Sequence, residues 1–338
     1  MESRIESGER ETLLASLLRM GLIGTDEDPS LVRLTGGVSS LIVRAETRAG
    51  TVCVKQALAK LRVATEWFAP VERNSAEVAW MKIVSDLVPG AVPRIIAVDT
   101  QSQTFAMEYF TPHCHRVWKD ELREGRASAS VARSIGWLLA DIHRGTAGNS
   151  EVQRAFATDA SFFALRLEPY FLATAAANAD CAAPLRALSA DTAATKRALV
   201  HGDLSPKNIL TGPHGPVLLD AECAWYGDPA FDIAFCLTHL LLKCVWRPAG
   251  ENEFLACFDA MSNAYLSRVT WESMEELEAR AARLLPALLL ARVDGKSPVE
   301  YLRTTDERDR VRRFAKTFVV SSPKTLKTIR YSWSRQRV

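Results

Sequence analysis

One stretch constrains this 338-residue chain more than any other: His201-Gly202-Asp203-Leu204-Ser205-Pro206-Lys207-Asn208-Ile209-Leu210. Leu199-Val200 leads into it, and Val217-Leu218-Leu219 follows, with Asp220 and Glu222 directly behind. Short apolar runs bounded by turn residues read as buried strands. Asp203, Asn208 and Asp220 therefore fall at the ends of short elements, where side chains can converge. A carboxylate in such a place can take the proton of an attacking hydroxyl. A second carboxylate and an amide oxygen can hold magnesium on nucleotide phosphates. Hard cations want oxygen ligands, and Mg²⁺ takes only a few of them from protein.

Asn208 follows Asp203 by five positions, a spacing that resembles the protein-kinase catalytic loop. In the form His-Gly-Asp, with Asn208 behind it, the stretch resembles the aminoglycoside phosphotransferase and choline kinase superfamily. Asp220-Ala221-Glu222 stands where protein kinases carry Asp-Phe-Gly. Tyr226-Gly227-Asp228-Pro229-Ala230-Phe231-Asp232-Ile233-Ala234 completes the superfamily signature. The resemblance implies an α+β, two-lobed, protein-kinase-like fold. An antiparallel five-stranded sheet is expected in a nucleotide-clamping lobe over residues 1–108. A mainly helical lobe over 109–338 is expected to hold the catalytic loop and acceptor pocket. It further implies Asp203 as catalytic base, Asn208, Asp220 and Glu222 as metal ligands, and His201 and Asp232 as braces of the catalytic loop.

Upstream, residues 31–34, 41–46 and 51–55 read as three strands. Between the first two, Thr35-Gly36-Gly37-Val38-Ser39-Ser40 is a turn. Its two glycines and hydroxyl residues let backbone N–H groups approach phosphate, which marks Gly36, Gly37, Ser39 and Ser40 as nucleotide-binding candidates; a plain hairpin turn is the alternative. Val52-Cys53-Val54-Lys55 resembles the kinase strand whose lysine reaches the α- and β-phosphates. Such a lysine needs a carboxylate to hold it; Glu77, in the helical pattern 75–84, is the candidate and Glu72 the rival. The segment from Lys55 to Glu77 also resembles methylthioribose kinases. The chain departs from them in its 35–40 turn and in having Asn208. Residues 92–98 and 104–110 would complete the sheet, and the resemblance places adenine against the backbone of Glu108 and Phe110. His113-Cys114-His115 lacks the separated second pair of a structural zinc site.

Leu13, Leu14, Leu17, Leu18 and Leu22 predict an amphipathic helix over 11–22. A helical pattern from 129 carries His143, read as a packing and hydrogen-bonding group. The Ala-rich stretch 150–195 is helix-prone, with Pro169 and Pro184 interrupting it. Further helices are expected at 231–246, at 251–266, at 273–292 with a kink at Pro286, and at 305–318. Residues 301–338 hold eleven Lys/Arg against three Asp/Glu, which reads as a solvated basic segment.

A formal net charge of +2 gives no global case for nucleic acid. Seven scattered cysteines without a C-x-x-C pair, and no apolar leader, predict reduced thiols and a cytoplasmic protein; no run is long enough to span a membrane. The expected activity is transfer of the γ-phosphate of ATP, with Mg²⁺, to a hydroxyl of a small metabolite. The residues do not separate ATP from GTP. A sugar or polyol of methylthioribose type is the first acceptor class; an aminoglycoside or a choline-like amino alcohol is the alternative. A catalytically silent nucleotide-binding relative is the reading from another class. Retention of Lys55, Asp203, Asn208 and Asp220 speaks against it.

Overall fold

The alternating segments near the N-terminus pair into one five-stranded antiparallel sheet: β1 (Ser30–Arg33), β2 (Ser40–Thr47), β3 (Gly50–Ala57), β4 (Ile95–Asp99) and β5 (Thr104–Glu108), in the order β1-β2-β3-β5-β4. The computed structural model describes residues 5–34, 40–58 and 73–336. The chain divides into two units, Met1–Cys114 and His115–Val338.

In the first unit, α1 (Ser7–Arg19) lays Leu13 and Leu17 on the sheet residues Leu41, Val43, Ala45, Val52, Val54 and Ala106. The helix starts and stops earlier than the leucine spacing predicts. At its start the Glu6 N–H donates to Glu9. At its end the N–H groups of Gly21 and Leu22 turn back to Leu18 O and Leu17 O at 3.0 Å each, which closes the last turn before Leu22 can join it. The fourth strand begins at Ile95 rather than Val92, because Pro93 has no N–H for the ladder. The second helix, α2 (Arg73–Leu87), buries Glu77, Val78, Trp80, Met81 and Val84.

A buried carboxylate ties α1 to the β4–β5 turn. Asp99 Oδ2 accepts from Ser16 Oγ at 2.7 Å and from Arg19 Nη2 at 2.7 Å. The Arg19 hydrogen bond, against the opposing effect of burial, holds the Asp99 carboxyl well below the usual carboxylate range. A depressed carboxylate contributes stability above its unfolded pKa and loses it as pH falls. An Asp99→Asn variant should therefore show a shallower loss of stability than the parent between about pH 5 and pH 2, measured by urea unfolding.

The second unit opens with β6 (Arg116–Val117), α3 (Trp118–Arg123) and α4 (Ala129–Thr146). The Ala-rich stretch forms α5 (Ser150–Ala155), α6 (Asp159–Phe162), a widened π-helical segment Phe163–Leu172, α7 (Ala173–Ala177) and α8 (Ala182–Ala194). Pro169 does not break the chain's helical course. It sits inside the π-helical segment, whose longer hydrogen-bond reach accommodates a residue without an N–H. Pro184 lies in the first turn of α8, where no intrahelical donor is needed.

Next come β7 (Ala198–Val200), β8 (Ile209–Gly212), β9 (Gly215–Leu218) and β10 (Trp225–Gly227). β7 pairs with β10, and β8 pairs with both β6 and β9. Five helices complete the unit: α9 (Ala230–Trp246), α10 (Glu251–Leu266), α11 (Met274–Asp294), α12 (Thr305–Ser321) and α13 (Leu326–Ser334). Pro286 lies within α11, which runs from Met274 to Asp294 across it.

Every residue of α9 from Ala230 to Val245 is buried, so this helix is the axis of the unit. A Cβ on Gly136 of α4 would meet Met261 O of α10 at 2.4 Å; only glycine lets these two helices come so close. No helix among the described residues is long and apolar enough to cross a membrane.

Candidate active site

Residues 201–208 run from the end of β7 to the start of β8, and α9 fixes their path. Asp232, fully buried in the first turn of α9, accepts the His201 N–H at 2.6 Å on Oδ2 and the Gly202 N–H at 2.8 Å on Oδ1. From the other side, His143 Nε2 stands 3.3 Å from Asp232 Oδ2, and its Nδ1 is 2.8 Å from Tyr265 OH. His143 therefore acts on the loop through Asp232. Gly202 has φ +74°, and a Cβ there would meet Cys223 O at 2.4 Å. The loop tolerates no side chain at this turn.

His201 bridges two backbone groups: Nε2 lies 2.9 Å from Leu219 O, and Nδ1 accepts the Asp203 N–H at 3.2 Å. Those contacts suit a neutral ring with its proton on Nε2. Burial lowers the His201 pKa and keeps it neutral. Asn208 returns to the start of the loop: its Nδ2 donates to Asp203 Oδ2 at 2.9 Å and to Asp203 O at 3.0 Å.

Asp203 is 5% exposed and sits between two cations. Arg166 Nη2 is 2.9 Å from Oδ1, and Lys207 Nζ is 3.1 Å from Oδ2. Burial alone would raise this carboxyl, and Asp220 adds to that. Arg166 and Lys207 outweigh both and hold Asp203 below its ordinary range, so it stays ionised. Arg166 also donates Nε to Gly202 O at 2.5 Å, holding the same turn that Asp232 holds.

Arg166 was not legible as a site residue in the sequence. The signal available was weak: one arginine three positions before Pro169, in a mainly apolar stretch that also carries Glu168. The run 231–246 also carries His239 and Lys243, one turn apart on a helix whose other polar residues are Asp232 and Thr238; a 3.6-residue reading of polar positions finds them.

Asp220 follows β9 with φ +66°, a left-handed backbone that non-glycine residues seldom adopt. Strain of this kind concentrates at functional positions. Its charge bears on Asp203 and His201, and that of the buried Glu222 bears on Arg166. Asn208 spends its amide nitrogen on Asp203, so Oδ1 is the atom left to serve as a ligand. An amide oxygen and nearby carboxylates make an oxygen-only donor set, which fits a hard divalent cation. Among the described residues no cluster of three or more His, Cys, Asp or Glu is placed to cage a metal, so protein would supply only part of the shell.

In the first unit, Lys55 Nζ meets Glu77 Oε2 at 2.6 Å, with both side chains almost wholly buried. The pairing joins β3 to α2. Ser40 opens β2 opposite Ala57. Gly36, Gly37 and Ser39, and the rival Glu72, lie outside the described residues. Glu108 closes β5 and donates its N–H to Arg94 O at 2.9 Å; Phe110 lies two positions past the strand end.

The arrangement of a five-stranded antiparallel sheet followed by a helical unit that cradles a His-Gly-Asp loop is a protein-kinase-like α+β fold. Residues 30–277 match the model of the phosphotransferase enzyme family (APH), and the chain belongs to that family. It is 25% identical over 261 residues to a methylthioribose kinase of Escherichia coli O45:K1 (strain S88 / ExPEC), a match covering 68% of this chain and 61% of that protein. The chain thus spans less than two thirds of the length of that relative. Among solved structures, a Plasmodium vivax ethanolamine kinase superposes with TM-score 0.57 at 12% identity, covering 96% of this chain and 93% of the other. An amicoumacin kinase in complex with AMP-PNP, Ca²⁺ and Ami superposes with TM-score 0.55 at 14% identity, covering 93% and 95%. At these identities the two structures speak for the fold.

Proposed function

We propose that the chain is an ATP- and divalent-metal-dependent small-molecule kinase, with Mg²⁺ as the metal, that phosphorylates a hydroxyl. The observation that carries this reading is Asp203. It is buried, ionised, gripped by Arg166 and Asn208, and held on a turn that Asp232 pins through two backbone hydrogen bonds. Family membership and the methylthioribose kinase relatives support it.

Asp203 orients the acceptor hydroxyl and takes its proton as the new O–P bond forms and the bond from the γ-phosphorus to ADP breaks. Asn208 and Asp220, with Glu222 beside them, hold the divalent ion, which when bound neutralises charge on the nucleotide phosphates. Lys55, fixed by Glu77, steadies the α- and β-phosphates, while Gly36, Gly37, Ser39 and Ser40 and the backbone at Glu108 and Phe110 receive the rest of the nucleotide. Positioning and charge neutralisation account for most of the barrier lowering in such a transfer. A sugar or polyol is the acceptor class that the methylthioribose kinase relatives favour.

Asp220→Asn removes the ligand charge while keeping the side chain's shape. Calorimetric titration with Mg·ATP should show loss of Mg²⁺-dependent binding. Affinity equal to that of the parent rejects Asp220 as a ligand.

A further inference from the structure

His239 and Lys243 are titratable groups on a buried helix that the catalytic loop does not use. With Phe235 they form an i, i+4, i+8 stripe down one side of α9. Lys243 is 1% exposed, and Glu300, itself paired with Lys119, is the carboxylate whose charge reaches it. It lies 3.7 Å from the ring centroid of Tyr301 and 4.2 Å from that of Trp246. The Tyr301 hydroxyl is itself buried without a partner among the described residues.

Other cations close in on the same place. Arg292, near the end of α11, donates to Tyr170 OH at 3.0 Å and to Ser297 Oγ at 2.9 Å. The Tyr170 ring is 5.6 Å from the Arg166 guanidinium that holds Asp203. Lys119 of α3 stands 6.0 Å from the Tyr301 ring and pairs with Glu300. Burial, and after it the charges of Arg292, Lys243, Lys207 and Lys119, hold the His239 imidazole well below its usual range.

The patch thus starts at Asp203, through Arg166 and Lys207, and runs along α9 to Lys243. Its cations, Arg166, Lys207, Lys119, Arg292 and Lys243, face the carboxylates Asp203 and Glu300, which are already paired, and at the Asp203 end Asp220 and Glu222, whose charges bear on Lys207 and Arg166. An ammonium taken from water without an anion is unfavourable, and an anionic ligand relieves it. A cationic acceptor would be repelled.

We propose that this cluster binds an anionic group of the acceptor, a carboxylate or a phosphate, so that the substrate is an acidic sugar or polyol. The inference rests on the reading of Asp203 as the group that meets the acceptor hydroxyl. Neutral sugars lose the contact to Lys243 and Arg292, and choline-like or aminoglycoside amines meet like charge.

Lys243 supplies a pH signature. Burial, then Lys119, Arg292 and Arg123, with Glu300 opposing, lowers its pKa to about 7. His239 and Tyr301 are the other titratable groups beside it. An anion favours the ammonium, so affinity should be highest below pH 7 and fall as pH rises. In the free protein the unfolded chain binds the extra proton between about pH 7 and about pH 10.4, so folding stability rises with pH across that window. Lys243→Met should remove both slopes.

The test is calorimetry of the full chain with Mg·AMP-PNP present, using matched pairs: glycerate and glycerol, gluconate and glucitol, ribose 5-phosphate and ribose, with choline as the cationic control. At least one anionic member should bind, at least about tenfold tighter than its neutral partner. Lys243→Met and Arg292→Met should each erase that preference and leave Mg·AMP-PNP affinity unchanged. The inference is overturned if no anionic member binds, if a neutral partner or choline binds as well or better, or if the preference survives in both variants. The arms also separate carboxylate from phosphate. If anionic compounds bind through Lys243 but none of the panel takes phosphate from ATP, the kinase reading falls and the anion site is left standing.

Discussion

Replacing Asp203 with alanine should lower turnover by about 10²–10⁴, the usual worth of a positioned general base. The expectation follows from what surrounds the carboxylate. Arg166 and Lys207 keep it charged, and Asn208 fixes one oxygen, so its remaining capacity is directed at a single incoming hydroxyl. Because its pKa is depressed, Asp203 is a weak base, and much of its contribution lies in orienting the hydroxyl. The alanine variant leaves Arg166 buried beside an empty place, which destabilises the loop. Asp203→Asn is therefore the companion variant: it keeps the shape and an oxygen for Arg166. Both should retain Mg·ATP binding by calorimetry while ADP formation with the acceptor falls. Near-normal turnover in either one removes Asp203 from this role.

Asp232→Ala should cost about 3–5 kcal/mol of stability. Two buried backbone donors, the N–H groups of His201 and Gly202, lose their acceptor together, at about 1–3 kcal/mol each, and His143 loses its partner as well. Turnover should fall alongside, because the turn that carries Asp203 is no longer held from α9. Asp232→Asn keeps one acceptor oxygen and points an NH₂ at the other donor, so its loss should be comparable or only slightly smaller. Urea unfolding of the parent and both variants measures it. A loss under about 1 kcal/mol for the alanine variant would show that Arg166, through Gly202 O, is enough to hold the turn.

Contacts within the candidate site were legible where chemistry and spacing are local. Asp203 and Asn208 lie five positions apart on one loop and touch; His201, Gly202 and Asp232 lock together as the signature order implies. Lys55 and Glu77 were readable because a buried lysine on a central strand demands a carboxylate, and α2 offers Glu77 at 2.6 Å. The sheet followed from alternation, with errors at strand ends where Pro93 removes a donor. Arg166 was not readable, since its value comes from a π-helical turn that aims it at Asp203 from a stretch dominated by alanines. Lys243 and His239 were hidden for a different reason: on an apolar helix, two polar residues look like minor interruptions until the partners from α3, α11 and the 297–301 segment are in place. Pro169 shows that a helix breaker acts only where the backbone cannot widen its hydrogen bonds.

Phosphoryl transfer by this chain is decided by incubating the full chain with γ-¹⁸O-labelled ATP, Mg²⁺ and the acceptor panel, and following the label by mass spectrometry. Labelled phosphate should appear on an acceptor hydroxyl in step with ADP, dependent on the divalent ion and lost in Asp203→Asn. ATP that is bound but returned intact across the panel, or equal transfer by the parent and Asp203→Asn, would contradict transfer through Asp203.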